Sequence, residues 1–149
     1  MSSLRSTADR KADVLEALGR QKDMWLASSD RSGRPHLIAV SAWWDGTQAV
    51  IATSGTSRTA RNLTDNPTAR LGIGAPDDVI VIDVAVEAPA AVEDSVNLAT
   101  GFAEAVGWDP REAGDGWVFF RLSPRRIQAY RGYDELEGRD VMRNASWLA

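Results

Sequence analysis

Apolar positions in this 149-residue chain fall into short runs cut by polar turns, and the pattern is sharpest between Trp25 and Pro67. Met24 to Ser29 is apolar and β-leaning, and Asp30-Arg31-Ser32-Gly33-Arg34-Pro35 breaks it with turn residues before the next run, His36 to Trp44. Asp45-Gly46 follows at once. This dipeptide between strand-like runs is the strongest short-range hairpin signal, so Leu37 to Trp44 and Thr47 to Thr53 are expected to pair antiparallel.

The runs on either side complete the list of elements. Residues 8 to 20 place Ala12, Leu15 and Leu18 on one stripe with Gly19 as a stop, which predicts a short amphipathic helix at one end of the sheet. Thr59 to Asn66 is a second helix, ended by Pro67, and Ala69 to Ile73 is a strand. Asp77 to Val86 reads as a long β run, and Glu93 to Val106 carries Val96, Leu98, Ala99, Phe102 and Val106 at helical spacing. Trp117 to Leu122 and Arg126 to Arg131 are the last strands, split by Ser123-Pro124. Six or seven meandering strands with short helices between them imply a mainly β fold, a closed or split antiparallel barrel, because closure removes exposed edges. The polar tail ends in Trp147-Leu148, a pair expected to dock on its own barrel or on a partner chain.

Length implies one domain spanning residues 1–149. A net charge of -4, with 17 scattered Lys and Arg, gives no electrostatic footprint for nucleic acid. The absence of cysteine removes disulfides, thiolate catalysis and Cys-ligated metals, and a single histidine makes a protein-only zinc site improbable. No apolar run approaches the roughly 20 residues needed to span a bilayer, and the first residues lack the apolar core of a signal peptide. The expectation is a cytoplasmic protein with no membrane or nucleic-acid partner.

The candidate chemistry sits in Ser54-Gly55-Thr56-Ser57-Arg58-Thr59-Ala60-Arg61-Asn62-Leu63. A phosphate needs several donors in one small volume, and hydroxyls, helix-start amides and Arg forks supply them together. By spacing alone the segment fits equally a phosphate clamp or an N-capped surface helix with solvated arginines. Trp43 and Trp44 end a strand where side chains alternate, so one ring goes in and the other faces solvent, a partner or a ligand. His36 is a weak candidate for a general acid, since no Ser, Cys, Asp or Glu partner lies close to it in sequence.

Trp25-Leu26-Ala27-Ser28, Gly33-Arg34-Pro35-His36, Trp44-Asp45-Gly46, Ser57-Arg58-Thr59-Ala60-Arg61-Asn62-Leu63 and Asn66-Pro67, in that order and spacing, resemble the pyridoxamine 5'-phosphate oxidase-like flavin and deazaflavin reductases. The resemblance runs from about residue 20 to 131 and is dense between 25 and 71. It implies an FMN-binding type of split β-barrel, a homodimer with cofactor sites at the subunit interface, and either FMN or the deazaflavin coenzyme F420 as cofactor. Carried over by position, Ser57, Arg58, Thr59, Arg61 and Asn62 would hold the cofactor phosphate, with Thr53 and Ser54 at the strand end beside them. Backbone at Val40, Ser41 and Trp43 would lie along the ring, and Trp44 and Trp147 would meet the substrate or the partner subunit.

The resemblance further implies hydride transfer between the bound cofactor and a planar conjugated organic substrate, with the ring rather than a side chain doing the redox chemistry. The alternative is a carrier that holds a flavin, a deazaflavin or haem on the same barrel without turnover. Two departures stand out. Many relatives have lysine where this chain has Thr59, and many read Glu-Gly-Thr-Ala where this chain has Asp83-Val84-Ala85-Val86, so the local backbone there is expected to differ.

Overall fold

A computed structural model describes residues 4–149, and residues 1–3 lie outside it. Helix α1 (Thr7–Arg20) is started by Ser6, whose hydroxyl accepts the Asp9 amide at 3.0 Å. Its buried stripe is Arg10, Val14, Ala17 and Leu18. That corrects the expected stripe of Ala12, Leu15 and Leu18, because Leu15 is 39% exposed and Ala12 also faces out. Steps of three drift round the cylinder, whereas steps of four and three stay on one face.

Six strands form a closed antiparallel barrel. β1 (Asp23–Ser29) lies between β2 (Pro35–Trp44) and β4 (Thr68–Ile73), β2 pairs β3 (Ala49–Ser54), and β4 pairs β5 (Val79–Val86). After two short residues of strand, β6 (Ala90–Ala91), comes the long β7 (Trp117–Tyr130), which pairs with β5 along one edge and with β3 along the other. The β3 to β7 ladder closes the ring. β6 adds to β7, as does β8 (Asp140–Arg143), which carries β9 (Ser146–Trp147). Helix α2 (Arg58–Asp65) follows β3, and α3 (Val96–Val106) lies in the long connection before β7.

The two strands expected on either side of Ser123-Pro124 are one strand of 14 residues. Proline has no amide to give a ladder. Here Val84 pairs Pro124 and Asp83 pairs Arg126, so Arg125 is an extra residue that absorbs the proline in a bulge. The register break falls between Asp83 and Val84, inside the segment where the sequence departs from the family pattern. The hairpin after Trp44 is also longer than expected, with Thr47 and Gln48 in the turn rather than in β3. The Asp45 carboxylate accepts the amides of Thr47 at 2.9 Å and Gln48 at 2.8 Å, which holds those residues out of the ladder.

Alternation along the strands builds two cores. Ile51 and Phe120 point into the barrel with Leu26, Leu71, Ile82 and Ile127, and α1 closes one end with Val14 and Leu18. Their neighbours Val50 and Phe119 point out and pack with Ala99 and Phe102 of α3. Trp44 packs on the barrel core and Trp43 on the outer cluster, so the outward ring of the pair is covered by this chain's own helix. The fit is close: a Cβ on Gly101 would come within 2.5 Å of the Trp43 ring. The tail turns at Asn144 and Ala145, both at positive φ, and lays Trp147 on its own barrel with the Lys11 ammonium 5.0 Å from the ring centroid. Among the described residues no helix is long and apolar enough to cross a membrane.

Candidate functional site

The ladder between β2 and β3 ends at the pair Ala42 and Ile51. Beyond it the strands part, leaving His36 to Ser41 on one lip and Ala52 to Ser54 on the other. The turn Ser54-Gly55-Thr56-Ser57 leads from the second lip into α2. Gly55 donates its amide to the Gly116 carbonyl at 2.8 Å, and a Cβ at Gly55 would lie 2.8 Å from that same oxygen. The close backbone approach therefore requires glycine.

Ser57 is the N-cap of α2. Its hydroxyl accepts the Ala60 amide at 3.0 Å and lies 2.9 Å from the Thr53 hydroxyl. Ser54 Oγ and Thr56 Oγ1 are 3.2 Å apart at the same turn. With the Ala60 and Arg61 amides bonded to Ser57, the amides of Arg58 and Thr59 have no acceptor among the described residues. Two free amides at a helix start, with the helix dipole behind them, attract an anion. Arg58 and Arg61 extend from the exposed side of this turn, and neither guanidinium forms an ion pair among the described residues. These donors suit a phosphate, and a cofactor phosphate placed here would be held by the Arg58 and Arg61 forks, the two amides and the hydroxyls of Ser54 and Ser57.

Thr59 and Asn62 face the other way. Both are buried, and the Asn62 side-chain amide donates to Ser28 Oγ of β1 at 3.1 Å. Thr59 Oγ1 lies 3.3 Å from His36 Nε2. His36, Arg58 and Asn62 share a 140 Å³ cavity with Asp30, Arg34 and Pro35. The Asp30 carboxylate accepts the amides of Arg34 and Ser32, each at 2.9 Å. The Arg34 bond is the chief reason its pKa lies below the ordinary carboxylate value, and the Arg34 and Arg58 charges act in the same direction.

The structure thus gathers His36, Thr53, Ser54, Ser57, Arg58, Thr59, Arg61 and Asn62 around the start of α2, whereas Val40 packs on the barrel core and Ser41 lies beside the outer cluster. Ser41 accepts from Trp108 Nε1 at 2.9 Å. Trp43, Trp44 and Trp147 are not part of this group either. Trp43 lies beneath α3, Trp44 packs on the barrel core, and Trp147 sits beside Met142, which pairs with Ile127 toward the far end of β7. Ser28, Asp30 and Arg34 were missed by sequence reasoning. Turn composition hides Asp30 and Arg34 among solvated residues, and nothing in the spacing links Ser28 to Asn62.

The family model described as pyridoxamine 5'-phosphate oxidase matches residues 11–130, and the chain belongs to this family. Among solved structures, an F420 reductase is 18% identical with a TM-score of 0.64, over 75% of this chain and 93% of that one. A haem-binding protein from Mycobacterium smegmatis is 19% identical with a TM-score of 0.68, over 93% of this chain and 58% of that one. HutZ, the haem storage protein from Vibrio cholerae, is 16% identical with a TM-score of 0.62, over 92% of this chain and 99% of that one. Identities this low show a shared fold. No curated protein matches in sequence.

Proposed function

We propose that this chain is a homodimeric oxidoreductase that holds the phosphate of FMN or F420 at the start of α2 and transfers hydride between the cofactor and a planar conjugated organic substrate. The observation that carries the reading is that, among the described residues, Arg58 and Arg61 form no ion pair and stand beside two helix-start amides without an acceptor, where β2 and β3 separate. When bound, the cofactor ring would supply the redox chemistry. The protein's part is to fix the phosphate with Arg58 and Arg61, to set the ring along the β2 lip at Val40 and Ser41, and to keep α2 in place through Asn62 and Thr59. No side chain at the mouth needs to act as acid or base.

The outer face of β1 and β2 supports the homodimer. Trp25 is 54% exposed and Leu37 is 64% exposed. Trp25 pairs Ala39, and Ala27 pairs Leu37, so these apolar side chains form one patch beside the mouth. A second copy covering that patch would bring its own residues close to the ring. A cytoplasmic setting, where reduced cofactors are available, belongs to the same proposal.

The second reading is a haem carrier, favoured by the haem-binding structural relatives and by the position of His36, the only histidine in the chain, on the lip of the mouth. Anaerobic reduction of the cofactor-loaded protein, followed by a panel of quinones, tetrapyrroles and enones, separates the two. Reoxidation by a member of the panel supports the oxidoreductase. A Soret band on haem addition that His36→Ala abolishes, with no reoxidation by any acceptor, supports the carrier.

A further inference from the structure

We propose that His36 is a third cationic element of the anion site, switched on by protonation, so that anion binding at the start of α2 strengthens as pH falls. The proposal rests on the phosphate reading above and deepens it. His36 is half-buried, and its Nε2 is 3.3 Å from Thr59 Oγ1 in the first turn of α2, next to the two free amides. Its Nδ1 has no protein partner among the described residues. The imidazole opens on the 140 Å³ cavity that it shares with Arg34 and Arg58, whose guanidinium groups form no ion pairs among the described residues.

The groups around the ring decide the sign. From the turn before β2 come Asp30 and Arg34, from α2 comes Arg58, and β1 presents the uncharged Ser28 opposite His36. Asp30 is held as an anion by the Arg34 and Ser32 amides and does not change charge over the range in which an imidazole titrates. An imidazolium with Nε2–H donating to Thr59 therefore adds one positive charge beside Arg58, and an anion in the mouth stabilises that charged form. By linkage the two effects are equal: the factor by which protonation tightens anion binding is the factor by which the bound anion tightens the ring's hold on its proton.

The test uses sulfate, which does not itself titrate between pH 5 and 8, and the single histidine, which gives one imidazole signal in the NMR spectrum. Sulfate binding is expected to be about fivefold tighter at pH 5.5 than at pH 8, the size of one exposed charge pair, with added sulfate moving the His36 imidazole signal toward its protonated position. In His36→Gln the ratio is expected to fall below about twofold. Sulfate binding that is equally tight at both pH values, with the His36 imidazole signal unmoved by sulfate, overturns this proposal and leaves the phosphate site standing. Failure of sulfate to perturb the amides of Arg58 and Thr59 at either pH overturns both. The wild-type titration decides the matter even if the glutamine variant folds poorly.

Discussion

The side-chain amide of Asn62 donates a 3.1 Å hydrogen bond to Ser28 Oγ in the buried space between α2 and β1. It fixes the short helix to the barrel behind its first turn, so the proposed anion site would inherit the rigidity of the sheet. Truncating Ser28 to Ala leaves a buried amide without its acceptor. The expected cost is about 1–3 kcal/mol of folding stability, measured by urea denaturation. An unchanged midpoint would show that the bond does not anchor α2.

Arg58 and Arg61 are expected to behave in the opposite way. Both are exposed and unpaired among the described residues, so Arg58→Ala or Arg61→Ala should change the Tm little while weakening FMN or F420 binding by about 1.5–3 kcal/mol, the scale of a charged hydrogen bond. Calorimetry of binding and thermal melts on the same samples separate the two effects. Loss of stability with unaltered binding would mark the pair as structural.

Gly101 faces the ring of Trp43, where an added Cβ would lie at 2.5 Å. Helix propensity alone favours alanine by about 1 kcal/mol, but overpacking costs about 1–3 kcal/mol, so Gly101→Ala is expected to lower stability by about 1 kcal/mol and to alter tryptophan emission. A more stable variant would show that Trp43 is free to move.

The fold was legible where local chemistry and tertiary packing agree. The short helix after β3, the β run that ends at Val86 and the hairpin after Trp44 are written in nearest-neighbour terms. Pro124 misled because a bulge at Arg125 depends on what β5 offers across the ladder, which the strand's own sequence does not carry. The cover over Trp43 depends on α3, more than fifty residues away in the chain, and the Ser28 to Asn62 bond is equally non-local. The positive character of the clamp could be read directly from Arg58 and Arg61. The cavity that Arg58 shares with Arg34 and His36 could not, since only the fold brings the turn before β2 against α2.

Away from the mouth, Glu135 joins the chain's N-terminal arm to the end of β7. The Arg5 guanidinium, 2.6 Å away, is the main cause that holds its carboxyl down at about 2, against an opposing burial effect, with the amides of Arg5 and Arg131 helping. Its folded pKa lies below its unfolded one, so this stability is fully present above about pH 4.5 and is lost as pH falls toward 2. Urea denaturation between pH 6 and pH 3 is expected to show a fall of about 2 kcal/mol from this group, absent in Glu135→Gln, which is already destabilised at pH 6. A variant with the same acid limb as the parent would remove Glu135 from the account.

The central claim is a phosphorylated-cofactor site at the start of α2. Titrating FMN and F420 separately into the unloaded protein, with tryptophan quenching and the visible spectrum as signals, tests it most directly. The account predicts saturable binding of at least one of them at micromolar concentration, weakened at least tenfold in the Arg58→Ala, Arg61→Ala double variant. Binding of neither cofactor at micromolar concentration, or binding untouched by the double variant, would contradict it.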